Sequence, residues 1–581
     1  MRTTLLHTLA LALLLASCAG SSPPPVGPAP TPRPTQVTLV ALSDFHGALE
    51  GHRLTTASGE TTTLGGAALI ATYVEILRAT AQGPVLLFDG GDLFQGTLVS
   101  NSRQGLPVVT FYNHLGMHAA ALGNHEFDFG PESPERTIAL LPEDDPHGAL
   151  RVLLREATFP LLAANVFLTG TEERPDWVQP SVLLDIDGFL VGVVGAATPS
   201  TAETTIPANV RMLDFPDPAP WVAREAAALR AAGAELVVLV AHMGAGCRDF
   251  SDPDDLSSCR DHELFALLNA LPPGTLDAAI GGHTHQGVAH RVNGVPTLQP
   301  FSNGRFLGVA HLDLASGTSQ LLPPQRLCAH VLPPDAPGAG DCDPRQVEAH
   351  EGPLTPATFL GRPVRPDPAT EALLAPDLQR VAALRDQALG VHVAEEFPRQ
   401  YREESAMGNW VADMMHTLLP EVDVALTNAG GVRQNLMPGP LTYGALFEVL
   451  PFDNRLVTAE VSGAELRRIV THGISGQRSA LLFSNLSLRA EGCDVVELLV
   501  GGQPVRDDQT YRILLNDYLG TGGSGFDTLG LDLDSFETRW DLPTVRDMIA
   551  DALRAQGGEL RPLDYFDPST PRQARTGTCA P

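Results

Sequence analysis

The residues most able to do chemistry fall in five short clusters, each directly after an apolar run. Val37 to Leu42 is followed by Asp44-Phe45-His46-Gly47, and Pro84 to Phe88 by Asp89-Gly90-Gly91-Asp92. Ala119 to Leu122 is followed by Gly123-Asn124-His125-Glu126-Phe127-Asp128. Glu235 to Val240 leads to His242, and Leu276 to Ile280 to Gly281-Gly282-His283-Thr284-His285. Carboxylate, imidazole and amide ligands together suit divalent ions such as zinc or manganese. A carboxylate shared by two ions about 3.5–4 Å apart supports phosphoryl polarisation and deprotonation of water. A lone Asp-x-His is ordinarily a solvated loop, and His242 alone could be a structural histidine. The ordered set of five carries the argument. Asp44 and His46, like His283 and His285, are two apart and share one side if strand geometry continues through them.

The elements that must position these clusters are legible around them. Four of the apolar runs read as buried strands, Ala119 to Leu122 being a weaker run, residues 66–80 and 219–232 read as helices, and the alternation predicts a layered α/β domain with buried sheets. Ligands in such domains collect beyond the carboxyl ends of the strands, so the five clusters are expected to converge. Pro and Gly crowd residues 330–365, which reads as a linker. A second α/β pattern follows, with a helix over 370–388 and a strand from Val391 to Phe397. The expected layout is 1–18 signal peptide, 19–35 tether, 36–330 first domain, 331–368 linker, 369–570 second domain and 571–581 tail.

The chain has 581 residues and a formal net charge of −30, and every basic side chain is Arg. Such a surface excludes nucleic-acid polymers and anionic membranes as main partners, while small phosphates remain open if metals supply local positive charge. Arg2, the apolar run Leu5 to Leu15 and Leu15-Ala16-Ser17-Cys18 read as a signal peptide ending in a lipobox-like sequence. The expectation is therefore export, with membrane attachment only through lipid on Cys18. Six further cysteines suggest disulfides. Short loops favour Cys247–Cys259 and Cys328–Cys342, which leaves Cys493–Cys579.

Taken in order, the clusters resemble the calcineurin-like metallophosphoesterases. The resemblance implies a four-layer α/β/β/α domain holding two divalent ions (Zn, Mn, Co or similar). One would be held by Asp44, His46, Asp92 and His285, the other by Asp92, Asn124, His242 and His283, with Asp92 as the bridge. His125 with Asp128 would form a catalytic dyad that stabilises the transition state and assists the leaving group. Phe159 to Val166, Glu404-Ser405-Ala406-Met407-Gly408-Asn409, Asn428-Ala429-Gly430-Gly431-Val432-Arg433, Pro451-Phe452-Asp453-Asn454 and Gly522 to Phe526 narrow the resemblance to the 5′-nucleotidase family. That family's separate α/β C-terminal domain implies a nucleoside site with Phe452 and Tyr518 as aromatic clamp, Asn428 and Arg433 as polar contacts, and Ser524 near the ribose.

Two positions depart from the family pattern. Ser524 is neutral where an Asp usually contacts the ribose hydroxyls. Tyr401 stands where an Arg usually precedes the Glu404 motif, with Arg399 and Arg402 nearby. The implied activity is hydrolysis of nucleoside 5′-monophosphates. Alternatives on the same scaffold are 2′,3′-cyclic-nucleotide 2′-phosphodiesterase with 3′-nucleotidase activity, and UDP-sugar hydrolysis. A relative acting on sulfur esters is disfavoured by the lack of any carrier-protein signal. A surface nucleotide-binding lipoprotein without turnover is the alternative of a different class. Oligomeric state is not legible.

Overall fold

The computed structural model describes residues 33–133, 137–139, 143–260, 262–475, 479–577 and 579. Cys18, the signal segment and most of the tether lie outside the described residues. Among the described residues no helix is long and apolar enough to cross a membrane.

Two six-stranded sheets form the centre of the first half. One runs Thr318–Arg326, Phe306–Asp313, Gln36–Leu42, Val85–Asp89, Ala119–Ala121, Leu161–Leu162. The other runs Gly287–Val292, Val295–Pro300, Ala278–Ile280, Leu236–His242, Phe189–Ala197, Ser181–Ile186. Side-chain alternation explains the stacking. Val37, Leu39 and Ala41 of the first sheet meet Val238, Val240 and Ile280 of the second in one core. Val40 and Leu42 face the opposite way, into a core with Ile70, Val74 and Leu77 of helix Ala67–Thr80. Val237, Leu239 and Ala241 face Val222, Ala226 and Leu229 of helix Ala219–Ala231. Helices therefore cover both outer faces in the expected four layers, and strands buried on both sides must be apolar throughout.

The central strands are parallel. Gln36–Leu42 pairs with Val85–Asp89, which pairs with Ala119–Ala121; Leu236–His242 pairs with Phe189–Ala197 and Ala278–Ile280. Their carboxyl ends emerge on one rim. There Gly90 and Gly281 let the loops of the two sheets touch, since a Cβ on Gly90 would lie 2.3 Å from the Gly281 carbonyl.

The second half is built on a five-stranded sheet in the order Leu481–Ser484, Val424–Asn428, Thr510–Asn516, Leu456–Ser462, Glu537–Thr538. Helices Ala406–Leu418, Gly463–Ile474 and Val545–Gln556 pack against its two cores. The Glu404 motif is structural here. Ser405 caps the helix by accepting the Gly408 N–H at 3.1 Å. Glu404 accepts the backbone N–H groups of Arg572 and Gln573 and the Asn409 amide, tying the last strand to this helix. The strand expected from Val391 to Phe397 lies earlier in the chain. It spans Ala388–Val393, and Phe397 makes only an isolated bridge to Leu436.

Residues 331–364 are not a bare connection. They carry the helix Pro344–Ala349 and short paired strands, and Leu332, Val347, Leu354, Phe359 and Val364 pack into the core of the first half. Leu374 and Val381 of the following helix, Pro368–Arg385, pack there too. Pro and Gly marked irregular backbone correctly, but apolar residues spaced between them bury it. The disulfides pair Cys247–Cys259, Cys328–Cys342 and Cys493–Cys579. Links closing loops of this kind stabilise by about 2–4 kcal/mol each.

Candidate metal centre and substrate cleft

All five clusters meet at the rim, but not by strand alternation. The strand Gln36–Leu42 stops before Asp44, and Ala278–Ile280 stops before His283. Asp44, His46, Asp92, His283 and His285 all have positive φ, between 48° and 75°. Non-glycine residues adopt this left-handed backbone at a cost, and such strain gathers at functional sites. Tight turns aim each side chain back over the strand ends. Glu126 holds two of these turns together: its carboxylate accepts the N–H groups of Asp92, Leu93 and Gly123 at 3.0, 2.7 and 2.6 Å.

Two triples of ligand atoms result, Asp44/His46/His285 and Asp92/His242/His283. His46 Nε2 lies 3.0 Å from His285 Nε2, and His283 Nδ1 lies 3.2 Å from His242 Nε2. His46 Nδ1 and His242 Nδ1 face the carbonyls of Gln95 and Gly90, each at 2.8 Å. These bonds place the protons on Nδ1 and turn the Nε2 lone pairs inward. Nitrogens bound at about 2.0–2.1 Å in a tetrahedral shell lie about 3.3 Å apart, close to these separations. Asn124 Oδ1 completes the second set, 3.0 Å from His242 Nε2 and 3.1 Å from His283 Nδ1. Asp92 Oδ2 lies 3.1 Å from His242 Nε2 and 3.8 Å from His46 Nε2, so one carboxylate reaches both triples.

The electrostatics also fit a cation. Burial pushes the His46 and His283 imidazoles down to about 3, and His285 well below its usual range, leaving neutral rings able to ligate. Burial raises the Asp44 carboxyl to about 8. Its Oδ2 is buried with no hydrogen-bond partner among the described residues. Burial opposes a proton on His242, but Asp92 outweighs it and raises the ring to about 10. The donor set thus draws positive charge to the place where a divalent ion fits.

His125 belongs to neither triple. Its Nδ1 meets Asp128 Oδ2 at 2.5 Å, and its ring stacks on Phe452 of the second half, centroids 5.7 Å apart. The Arg433 guanidinium lies 5.8 Å from the Phe452 ring centre. Arg546 and Asp517 hold the Phe452 loop: Arg546 donates to the Leu450 carbonyl and Asp453, while Asp517 accepts from Asn454 and the Arg455 N–H.

Asn428, Arg433, Phe452, Tyr518 and Ser524 all line one cleft of about 1870 Å³ together with the metal-ligand candidates His46, Asp92 and Asn124. That volume exceeds the roughly 300–1,000 Å³ of a typical small-molecule pocket. Asn428 Oδ1 accepts the Asn516 amide at 2.9 Å. Arg399, Tyr401 and Arg402 line the same cleft. Sequence reasoning missed Glu203, Thr204 and Thr205, which also line it. Nothing in a Thr-rich stretch signals chemistry.

Stacked sheets whose rim gathers Asp, Asn and His ligands, facing a second α/β half across a cleft, define a metal-dependent phosphoester hydrolase. Residues 37–287 match the calcineurin-like phosphoesterase family, and residues 387–530 match the 5′-nucleotidase C-terminal domain. The chain is 27% identical over 523 residues to Protein UshA of Yersinia enterocolitica, covering 84% of this chain and 86% of that one. It is 25% identical to the 5′-nucleotidase of Vibrio cholerae over 562 residues, covering 90% and 91%. The crystal structure of a 5′-nucleotidase precursor from Thermus thermophilus superposes with TM-score 0.70 at 25% identity, covering 94% of this chain and all of that one. The chain belongs to the 5′-nucleotidase family of calcineurin-like metallophosphoesterases.

Proposed function

We propose that this protein is an exported 5′-nucleotidase releasing phosphate from nucleoside monophosphates. The observation that carries the reading is the stacking of Phe452 on His125, which sets an aromatic face of the second half against the acid–base pair of the first. Two divalent ions, held by Asp44, His46, Asp92 and His285 and by Asp92, Asn124, His242 and His283, would polarise the phosphoryl group and supply an activated water. His125, oriented by Asp128, holds a proton for the leaving oxygen. Phe452 and Tyr518 offer π faces to the base, and Arg433 offers a bidentate fork to phosphate or nearby oxygens.

Chemistry and recognition then lie on different halves. Phe452→Ala is expected to raise KM for AMP about 5–150-fold, the equivalent of about 1–3 kcal/mol of stacking. Ser524 occupies left-handed backbone at φ 52°, which Asp also tolerates, so Ser524→Asp is expected to lower KM for AMP more than for an aryl phosphate. Unchanged AMP kinetics in Phe452→Ala would remove the nucleoside clamp and reduce the function to phosphoester hydrolysis of unknown substrate. Export rests on residues 1–18, where Cys18 is the proposed lipid acceptor. Cys18→Ser is expected to abolish palmitate labelling, and labelling that persists would contradict the anchor.

A further inference from the structure

Glu203, Thr204 and Thr205 are consecutive, line the cleft, and each makes a different attachment, one of them to the second half. The Tyr518 hydroxyl, from the second half, donates to the Glu203 carbonyl at 2.6 Å. The Asn124 amide, from a metal-ligand candidate, donates to the Thr204 carbonyl at 3.0 Å. The Thr205 hydroxyl donates to Asp128 Oδ1 at 2.8 Å. Asp128 therefore spends one oxygen on His125 and the other on Thr205. The second bond fixes the twist of the carboxylate, and through it the His125 ring.

The segment is anchored from behind, which ties its residues into one unit. Thr205 N–H donates to the Thr201 carbonyl at 3.2 Å, and the Thr204 hydroxyl to the Ser200 carbonyl at 2.9 Å. Thr201 donates to the Thr198 carbonyl at 2.7 Å, and Thr198 to Glu263 at 2.7 Å. Thr198, Thr201 and Thr205 are all buried. On the other side, the Tyr518 hydroxyl also accepts the Ser524 N–H at 3.0 Å, so it joins the Ser524 loop to this segment. A phenylalanine would offer the same ring without either bond.

We propose that Glu203–Thr205 couples the docking of Tyr518 to the geometry of Asn124 and the His125–Asp128 pair, with Thr205 a positioning residue that acts through Asp128. The inference rests on the reading of His125–Asp128 as the acid–base pair of the proposed function. Poor positioning of that pair matters most when the leaving oxygen needs a proton. Loss of Thr205 therefore shows itself in how rate depends on the leaving group.

The test uses the full metal-loaded protein and two aryl phosphates that need no nucleoside site, phenyl phosphate (poor leaving group) and 4-nitrophenyl phosphate (good leaving group). Thr205→Val is expected to keep wild-type metal content and KM. Its kcat should fall about 10–150-fold on phenyl phosphate, the worth of one hydrogen bond to a charged group, and about 3-fold or less on 4-nitrophenyl phosphate. Thr205→Ser should restore both rates, and Thr205→Ala serves if the Val variant does not fold. Tyr518→Phe should lower kcat on phenyl phosphate about 3–10-fold, the worth of a neutral hydrogen bond. Because both act through one segment, the double variant should fall short of the product of the single losses. Equal losses on both aryl phosphates, lost metal or failed rescue by Ser would make Thr205 merely structural and overturn the inference. Losses that multiply would overturn the coupling. His125→Ala, run in parallel, separates the two levels. If it shows no leaving-group dependence, the acid–base reading falls and the inference with it. If it does and Thr205→Val does not, only the inference falls.

Discussion

Asp92→Ala is expected to empty both halves of the metal centre and reduce turnover by more than about 10³-fold, beyond the roughly 10–100-fold cost of losing a group behind a ligand. The argument is geometric. One oxygen, Oδ2, lies 3.1 Å from His242 Nε2 and 3.8 Å from His46 Nε2, within reach of both ligand triples. The other, Oδ1, accepts the His125 N–H at 2.9 Å, which fixes the direction of the carboxylate. Asp44 and Glu126, two neighbouring carboxylates, are already engaged elsewhere. Asp44 Oδ1 is committed to the His283 N–H at 2.8 Å, and Glu126 to three backbone N–H groups. Metal content after gel filtration, set beside phosphate release, measures the effect. Retention of both ions by Asp92→Ala would rule out the bridging role.

His125→Ala separates ligation from catalysis. His125 lies in neither triple, and its Nδ1 is held by Asp128, so both ions should stay. The backbone N–H that orients Asp92 survives the substitution. Turnover should nevertheless fall about 10²–10⁴-fold, the scale of a positioned acid–base group. Metal analysis and kcat on the same sample decide it, and loss of metal from His125→Ala would make His125 a ligand. Part of any KM change in this variant belongs to Phe452, which loses the ring it stacks on.

Much of this site is legible in the sequence because its parts are chemically rare. The central strands are apolar throughout because Val37 and Leu39 face one core and Val40 and Leu42 another, so continuous runs betray sheets buried on both sides. Asp, Asn and His following five such runs in order point to one shared centre, which none of them does alone. What could not be read is backbone shape. Asp44 and His46 face the same centre through left-handed turns, a property of neither residue type, and strand alternation gives the right neighbours for the wrong reason. The 331–364 segment failed differently: its Pro and Gly truly interrupt regular structure, but Leu332, Val347 and Leu354 dock it on a core that only the folded chain defines. Within the Glu404 motif the shared residues cap a helix and tie down a strand. Thr205 was invisible because a threonine hydroxyl gains meaning only from the carboxylate it meets.

The central claim is a dinuclear centre that works on nucleotides, and one titration tests it most directly. Metal-free protein, prepared by chelation, is titrated with Mn²⁺ while phosphate release from AMP is followed, with Asp92→Ala as the paired control. The account predicts that activity climbs to a plateau at two equivalents of metal per chain and that the Asp92→Ala protein stays flat throughout. Full activity at one equivalent, or AMP turnover that persists in the metal-free protein, would contradict it.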